Sequence, residues 1–445
     1  MRDLRGKRIR AHAFHAPQAG AVEELADTVI EIARDGTIAQ VMRPGDPGHD
    51  APAEALPPGA VLLPGFVDLH VHAPQYPQLG RALDRPLEAW LEHYTFPLEA
   101  RYADADFAAR VYDRLVADLL ADGTTTAVYL ATIHDAGTLR LAEACLRHGQ
   151  RAHVGRVAMD HPETCPDYYR DPSAEAALAG TRALIDHLRA HPGNAEGRVR
   201  PAITPRFVPA CTDRLLEGLG DLAAETGALV QTHCAESDWQ RAHVEARTGL
   251  SDPAALDRFG LMREGTVLAH SVYLTEADME RIAARRAAVA HCPLANAYFG
   301  GAVFPLRRAL EKGVRVGLGT DISGGPSARM WHAARMTVAA SRMLESGTDP
   351  DLPPEARSAH AGARVDMATA FHLATAGGAA ALGLPVGDLM PGRHFDAMLV
   401  DPSAAEGSVR LWDLAEGVDL LETILYTATR ANISRVWVSG RAAPA

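Results

Sequence analysis

Residues 61–72 have the sequence VLLPGFVDLHVH, an almost unbroken apolar run that ends in two histidines. Seven more short apolar runs follow, and most of the segments between them have helical periodicity. Strands that are apolar throughout and alternate with helices are typical of a parallel sheet covered by helices. The later runs are TTTAVYLAT (124–132), AHVGRVAMD (152–160), VRPAITPRF (199–207), ALVQTHCAE (228–236), TVLAHSVY (266–273), AAVAHCP (287–293) and VRVGLGTD (314–321).

Eight such units over roughly 320 residues predict an α/β fold, a (β/α)8 TIM-type barrel with insertions. Two of the intervening segments show the helical pattern most clearly: DADFAARVYDRLVADLLADG (104–123) and TDRLLEGLGDLAAETG (212–227). A doubly wound open sheet shares the same alternation of strands and helices and is the alternative architecture.

The two ends of the chain have a different pattern. Residues 21–42 predict two strands joined by a turn at Asp35-Gly36, and residues 395–402 and 434–441 are also strand-like. We therefore expect a small β-sandwich built from both ends. The predicted domains are the N-terminal part of the sandwich (1–60), the barrel (61–385) and the C-terminal part of the sandwich (386–445). A polar, proline-rich connection, GDPGHDAPAEALPPG (45–59), leads into the barrel.

Composition excludes several classes of protein. The net charge of −12 argues against a nucleic-acid-binding surface, which needs a basic face. No apolar run reaches the length of a membrane span, and the basic N-terminus is not followed by the apolar segment of a signal peptide. The 5 cysteines are widely spaced without a CxxC pair. We expect a cytoplasmic protein with unpaired thiols that acts on a small molecule.

Polar residues stand at the ends of the apolar runs, where barrel enzymes carry their chemistry. His70 and His72 end the first run, and period-two alternation puts both imidazoles on one side of that strand. Later runs carry His233, Glu236, His270, His291 and Asp321. A single strand-end histidine is usually a hydrogen-bonded packing residue. Histidines and an aspartate that converge on one rim are instead a metal-ligand set.

Imidazoles plus a carboxylate favour one divalent metal ion, Zn²⁺ before Fe²⁺. Binuclear hydrolases of this architecture commonly bridge their metals with a modified lysine, but the lysines here are Lys7 and Lys312, far from any strand end. A metal can lower the pKa of water to ~7. Glu236, three residues after His233, is then placed to carry protons, and His270 or Asp321 to orient the water.

At this point the motifs resemble the amidohydrolase superfamily and, within it, the guanine deaminase family. The resemblance covers most of the barrel, and its more specific parts are HAPQY, the TFP segment and TPRF. The matching stretches are GFVDLHVHAPQY (65–76), RPLEAWLEHYTFPLEARY (85–102), DGTTTAVYLATIH (122–134), ITPRF (203–207), QTHCAES (231–237), LAHSVYL (268–274), HCP (291–293) and VGLGTDISGG (316–325).

The resemblance implies hydrolytic deamination of guanine to xanthine and ammonia by a metal-activated water, in a homodimer. It implies a metal on His70, His72, His233 and Asp321, and catalysis by Glu236, His270 and Asp321. It further implies that Gln75, Arg206 and Phe207 bind the substrate. Residue chemistry agrees, since an arginine fork can donate to O6 and N7 of guanine and a glutamine can both donate and accept.

One loop departs from the family pattern. After His291 the chain continues HCPLANAYFGG (291–301), in which Leu294 and Ala295 are unexpected while Asn296 is retained. Tyr298 or Phe299 can reshape a pocket here. The alternative functions are therefore deamination of 8-oxoguanine, a pterin or an aminotriazine on the same scaffold, or a non-catalytic scaffold protein, which should have lost ligands or Glu236. Deaminases of the cytidine type are excluded because they need a CxxC pair.

Overall fold

The computed structural model describes residues 3–412 and 414–444 of the chain. Over these residues the strands form two sheets of eight. In chain order the strands are β1 (Arg8–Gln18), β2 (Ala21–Ile32), β3 (Ile38–Met42), β4 (Glu54–Ala55), β5 (Val61–Pro64), β6 (Phe66–His72), β7 (Thr124–Leu130), β8 (Arg151–Ala158), β9 (Val199–Pro205), β10 (Leu229–Cys234), β11 (Thr266–His270), β12 (Ala288–His291), β13 (Arg315–Leu318), β14 (Ala397–Val400), β15 (Ile433–Val438) and β16 (Arg441–Ala442).

The helices connect these strands and are often short. In chain order the α-helices are α1 (Leu87–Trp90), α2 (Phe96–Ala100), α3 (Ala105–Ala121), α4 (Asp135–His148), α5 (Ala174–Ala190), α6 (Asp213–Thr226), α7 (Asp238–Thr248), α8 (Asp252–Arg258), α9 (Glu276–Ala284), α10 (Pro293–Ala295), α11 (Leu306–Glu311), α12 (Met330–Ser346), α13 (Pro354–Arg357), α14 (Met367–His372), α15 (Gly378–Ala381) and α16 (Gly417–Thr427). Among the described residues, no helix is both long and apolar enough to cross a bilayer.

Strands β6 to β13 form a parallel barrel in which each strand pairs with the next one along the chain. Hydrogen bonds just beyond the strand ends join the first strand to the last. Asp321 N donates to His70 O at 2.9 Å, and His72 N donates to Ile322 O at 3.1 Å. The predicted (β/α)8 barrel is therefore confirmed, and the open doubly wound sheet is excluded.

The two helices predicted most clearly, α3 and α6, begin and end where their sequences supply caps. Asp104 accepts from the backbone N–H groups of Asp106 and Phe107 at the start of α3. Thr212 caps α6 in the same way, and Gly227 ends it in the left-handed conformation at φ 66°. Their apolar faces are buried with the outer faces of the barrel strands, which forms the main hydrophobic core.

The second sheet is built from both ends of the chain, as predicted. Its strand order is β16-β15-β14-β5-β1-β2-β3, and β4 also pairs with β1. The predicted hairpin of residues 21–42 corresponds to β2 and β3. Strand β1 was not predicted, although its partly exposed arginines alternate with buried Ile9, Ala11 and Ala13 as in a half-buried strand. The domain boundaries at residues 60 and 385 stay a prediction.

The stretch that was predicted as one barrel strand, residues 61–72, is two strands in different sheets. Residues 61–64 form β5, which pairs with β1 and β14 in the terminal sheet, and β6 of the barrel starts at Phe66. Gly65 separates them, and a Cβ at this position would collide with the side chain of Thr125. The single-strand prediction was therefore wrong because apolar content alone does not show where the chain changes sheets.

Candidate active site

The four candidate metal ligands lie at the carboxyl ends of three barrel strands. His70 and His72 end β6, His233 lies near the end of β10, and Asp321 follows β13. All are buried. His72 Nε2 lies 2.9 Å from His233 Nε2, and the Nε2 atoms of His70 and His72 lie 3.3 and 3.6 Å from Asp321 Oδ1. Strand alternation therefore brings together these four side chains, which are distant in the sequence.

Two overlapping groups of side chains here have the spacing of metal ligands. His70, His72 and His233 form one group, and His70, His270 and Asp321 form the other, with ligand atoms within 4.8 Å of one another in each. These are the groups found among the described residues. His291, which sequence analysis also placed at a strand end, belongs to neither and packs against Phe304, with ring centroids 5.2 Å apart.

The hydrogen bonds of these histidines leave nitrogen lone pairs directed at one point. His233 Nδ1 lies 2.6 Å from Arg206 O, so this nitrogen carries the proton and Nε2 is unprotonated. The neighbouring Nε2 of His72 points at the same place, and Nε2 of His70 is buried with no hydrogen-bond partner. Nitrogen lone pairs that converge with no hydrogen-bond donor between them repel one another unless a cation occupies the space. The donor set therefore fits a divalent metal ion.

Electrostatics keeps the ligands in the protonation states that bind metal. Burial lowers the pKa of His70, His72 and His233, so the imidazoles are neutral near pH 7. Burial also opposes the ionisation of Asp321, but the contact with His70 Nε2 at 3.3 Å and the other imidazoles around the carboxylate outweigh it and hold the pKa of Asp321 well below its usual range. Neutral imidazoles and an ionised carboxylate are what a metal requires.

Glu236 and His270 lie next to this cluster and outside the four-residue set. His270 Nε2 is 3.5 Å from Glu236 Oε1 and 3.8 Å from Asp321 Oδ2. His270 Nδ1 donates to Asn296 Oδ1 at 2.9 Å, so its Nε2 is left as an acceptor. Burial raises the pKa of Glu236 from its ordinary value. A carboxyl group with a raised pKa exchanges protons more readily near neutral pH.

The backbone at these positions is strained. Ala235, His270 and Asp321 have φ values of 45°, 66° and 50°, in the left-handed region that is uncommon for residues other than glycine. Such strain concentrates at functional sites, where the surrounding structure holds it in place. Here it turns the chain abruptly at the strand ends, so that Glu236, His270 and Asp321 can face the same space.

Asp252, the first residue of α8, holds the segment that carries Glu236. Its Oδ2 accepts from Ala235 N at 2.9 Å and from Gln240 Nε2 at 2.8 Å. Burial raises the pKa of Asp252 to about 7. Sequence analysis did not identify this residue, because its partners lie on a preceding loop and helix.

We expect the stability of the protein to fall between about pH 4 and pH 7 because of Asp252. In this range the unfolded chain has released the proton that folded Asp252 still holds, so rising pH favours unfolding, by up to about 4 kcal/mol. Asp252→Asn keeps an acceptor for both donors and removes the titration. Urea unfolding at pH 4 and pH 8, with chelator present to exclude effects of metal binding, should show a smaller pH effect in the variant. An equal pH effect in both proteins would contradict the assignment.

A cavity of about 430 Å³ opens from this cluster towards solvent. His72, His233, Glu236 and Asp321 line its inner part, together with the predicted substrate residues Gln75, Arg206 and Phe207. Trp90, Phe96, Trp239 and Phe299 add aromatic side chains to the lining. This volume lies within the range of small-molecule sites, and its mixture of polar and aromatic walls suits a flat heterocycle.

Glu99, which sequence analysis did not identify, joins two of the predicted substrate residues. It is 1 % exposed and lies at the end of α2. Its Oε2 accepts from Arg206 Nη1 at 2.6 Å, and its Oε1 accepts from Arg206 Nη2 at 3.2 Å and from Gln75 Nε2 at 2.8 Å. Gln75 Oε1 accepts from Ser323 N at 3.1 Å, which fixes the orientation of the amide.

This arrangement changes how Arg206 can act. An arginine fork was expected to bind O6 and N7 of a purine, but Glu99 already occupies the fork formed by Nη1 and Nη2. The side of the guanidinium formed by Nε and Nη2 keeps two further N–H groups in a second fork. The guanidinium also lies over the ring of Phe96, 5.0 Å from its centroid. Arg206 is therefore rigidly held, and the second fork is the one left for a ligand.

The loop after His291, which departs from the family pattern, contributes one aromatic residue to the cavity. Residues 296–300 form a π-helical turn in which Asn296 binds His270. Phe299 lines the cavity and lies 5.1 Å from Trp90 between ring centroids, whereas Tyr298 is 48 % exposed and does not line it. The predicted reshaping of the pocket therefore concerns Phe299 and not Tyr298.

Three comparisons with known proteins agree with this geometry. The model of the Amidohydrolase family matches residues 61–443. A guanine deaminase of Dictyostelium discoideum is 32 % identical over 98 % of this chain and 97 % of its own. The crystal structure of a C. acetobutylicum guanine deaminase with bound guanine superposes with a TM-score of 0.87 at 29 % identity, covering 98 % of this chain and 100 % of that one.

A fourth similarity is to a deaminase of a nucleoside. The structure of an adenosine deaminase from Xanthomonas campestris with bound zinc has a TM-score of 0.82 and 27 % identity, and it covers 98 % of this chain and 92 % of that one.

Proposed function

The chain belongs to the amidohydrolase family, and from this premise we propose that it is a hydrolase that deaminates guanine to xanthine and ammonia. One observation carries the proposal. A single cavity is lined both by metal-type ligands with Glu236 and by Arg206 and Gln75, two residues that can hydrogen-bond a purine. The catalytic residues and the purine-binding residues therefore face the same bound small molecule.

His70, His72, His233 and Asp321 would hold one divalent metal ion, and we propose that it is zinc. Three imidazoles and a carboxylate suit zinc, with Fe²⁺ as the alternative from ligand type alone. The bound zinc in the similar deaminase from Xanthomonas campestris supports this choice. A divalent cation at this position supplies Lewis acidity, which makes water a stronger acid near neutral pH.

Removal of the metal should destabilise the protein. The folded site binds the ion and the unfolded chain does not, so zinc at a hundredfold excess over its Kd adds about 2.7 kcal/mol to the free energy of unfolding. We expect a chelator to lower the midpoint of thermal unfolding and zinc to restore it. In His72→Ala the chelator should change nothing. A wild-type midpoint unaffected by chelator, with no metal found by elemental analysis, would contradict the site.

Deamination needs two protons moved, and Glu236 is placed to move them. The water oxygen forms a bond to C2 of guanine, and the bond from C2 to the exocyclic nitrogen breaks. One water proton ends on ring N3 and the other on the departing ammonia. We propose that Glu236 accepts each proton from the water and delivers it, since its carboxylate lies beside the metal-type ligands and its pKa is raised. His270 Nε2, an acceptor, orients the water.

Arg206, Gln75 and Phe207 are proposed to hold the purine ring. The free fork of Arg206, formed by Nε and Nη2, can donate to the O6 and N7 acceptors of guanine. Phe207 offers a ring face at the cavity wall. Glu99 acts through the other residues: it is a positioning residue that fixes the guanidinium of Arg206 and the amide of Gln75 before the substrate arrives.

Glu99→Gln should raise KM for guanine by about tenfold or more and change kcat less, because the substrate-binding groups lose their fixed orientation. Glu225→Gln is the matched control, since Glu225 forms the same two-point pair with Arg182 on the surface at 2.6 and 2.6 Å. Steady-state kinetics and metal content of both variants test this. Unchanged KM in Glu99→Gln, or loss of metal from it, would refute the positioning role.

The proposed reaction is tested by ammonia release from guanine, 8-oxoguanine, a pterin, ammeline and adenine. We expect guanine to give the highest kcat/KM. A higher kcat/KM for 8-oxoguanine, the pterin or ammeline would move the assignment to a related amino-heterocycle, and Phe299 in the cavity wall is the residue to exchange first. No ammonia from any compound in the zinc-loaded protein would refute deamination and support the non-catalytic alternative.

We further propose that the protein is a homodimer in the cytoplasm. Exposed apolar side chains, Trp412, Leu414, Val418 and Tyr426, lie in and just before α16, and pairing of two chains would remove them from water. The five cysteines, all in the described residues, are free and buried, which suits a reducing compartment. A monomer mass in light scattering would refute the dimer, and export of the tagged protein from the cytoplasm in its native host would refute the location.

A further inference from the structure

A second cavity, of about 480 Å³, opens at the amino ends of the barrel strands. This is the end of the barrel opposite to the candidate active site, because the metal-type ligands stand at the carboxyl ends of the strands. His153 of β8, Arg200 of β9 and Leu229 of β10 line it. His153 and Arg200 are paired in register on neighbouring strands, so their side chains project to the same side of the sheet.

His153 is buried without any hydrogen-bond partner. It is 4 % exposed, and neither Nδ1 nor Nε2 has a partner among the described residues. A neutral imidazole always carries one N–H donor, and leaving a buried donor unpaired costs free energy. The ring lines the cavity although both nitrogens are themselves buried, so a small rotation of the ring lets a bound molecule supply the missing acceptor.

Two arginines at the same cavity also have unused donors. Arg200 Nε donates to Gly197 O at 3.1 Å, and Arg189 donates through Nη2 to Thr226 O at 2.5 Å. Each guanidinium keeps further N–H groups, and across the described residues neither arginine forms a salt bridge. The backbone carbonyls hold both side chains in place but leave both charges without a counter-ion.

The cavity lining contains no carboxylate, although the protein as a whole carries a net charge of −12. The lining residues, all within the described ranges, include His153, Arg189, Arg200 and Asn194 as polar groups. The remainder is apolar or glycine, and Leu188, Leu229 and Leu382 form part of it. Two unpaired positive charges and a buried donor therefore face a partly apolar space in an otherwise acidic protein.

We propose that this cavity, named here the amino-end pocket, binds a small oxyanion, either a phosphate or a carboxylate. The anion accepts from the guanidinium groups of Arg200 and Arg189 and from the imidazole of His153. Charged donors bind oxyanions through short, strong hydrogen bonds, and an arginine offers two parallel donors to a phosphate or carboxylate. The apolar walls accommodate the carbon chain of a carboxylate. This site is separate from the proposed deamination, and its test does not depend on it.

The test is equilibrium dialysis of the zinc-loaded full chain with labelled inorganic phosphate and, separately, with labelled butyrate, at constant ionic strength. We expect saturable binding of at least one anion at one site per chain. Arg200→Met should weaken it by about tenfold or more, since a charge-assisted pair is lost. His153→Phe, which keeps a ring in the buried position, should weaken it as well. Arg342→Met, an exposed arginine outside the pocket, should leave it unchanged.

Two further measurements separate the amino-end pocket from the candidate active site. Dialysis repeated on Glu236→Gln, which binds guanine without converting it, should give the wild-type anion affinity both without guanine and with saturating guanine. Preference for phosphate or for butyrate identifies the class of ligand. The proposal is overturned if neither anion binds saturably, if binding survives both Arg200→Met and the double variant with Arg189→Met, or if guanine displaces the anion.

Discussion

Glu236→Gln is expected to lose deamination of guanine by about 10³-fold or more in kcat while it keeps its metal. The substitution preserves the size and the hydrogen-bonding shape of the side chain but removes its ability to accept a proton. The side chain lies beyond the four proposed ligands, and its Oε1 is 3.5 Å from His270 Nε2. The loss should therefore appear in the chemical step and not in metal binding.

Three measurements isolate that loss. Elemental analysis should find equal metal in the variant and the wild type, and guanine should bind the variant with a Kd similar to the wild-type value. Single-turnover kinetics should show that the bound guanine is not converted. Glu225→Gln, the surface control, should be fully active. Substantial turnover by Glu236→Gln would contradict the role of Glu236 as proton shuttle. Loss of metal from the variant would instead identify Glu236 as a metal ligand.

Arg206→Lys is expected to lower kcat/KM for guanine by at least about 100-fold, because a lysine cannot supply a fork of parallel donors. Lysine is chosen over alanine since Glu99 is buried, and an unpaired buried carboxylate would destabilise the fold by about 3–5 kcal/mol. The positive charge beside Glu99 is thus kept while the geometry is lost.

A second substrate distinguishes recognition from general damage to the site. 2-Aminopurine keeps the amino group and N7 but lacks O6, so the wild type should already turn it over poorly. Arg206→Lys should therefore reduce kcat/KM for 2-aminopurine much less than it reduces kcat/KM for guanine. Equal losses on both purines would mean that Arg206 supports the fold of the site and does not recognise O6. Arg182→Lys on the surface is the matched control.

The sequence was sufficient to predict the barrel and the residues at its strand ends. Period-two alternation in a strand and the rule that catalysis occurs at carboxyl ends place His70, His233 and Asp321 in one space without any coordinates. The helices α3 and α6 were predicted from their helical periodicity, and the structure adds the capping residues Asp104 and Thr212 at their starts. These signals are local, or they follow from the fold class.

The parts that escaped prediction depend on long-range contacts. Glu99 lies in a helical stretch with no distinguishing pattern, and its partner Arg206 is 107 residues away. Asp252 was missed because a carboxylate at a helix start looks like an ordinary cap. The chain changes sheets at Gly65, where any side chain would collide with Thr125. No periodicity in the sequence reveals this close approach. Only the distances in the structure show that Glu99 occupies the fork formed by Nη1 and Nη2 of Arg206.

The strand order of the terminal sheet has a consequence for how the protein is made. Strand β5 lies between β1, near the start of the chain, and β14, at residues 397–400. During synthesis on the ribosome, β1 and β5 emerge early, but one edge of β5 waits for its partner until more than 300 residues later have been translated. An open apolar edge of this kind attracts other strands. Nascent chains that stall before residue 397 should therefore be prone to aggregation, because β14 is the strand that covers this edge.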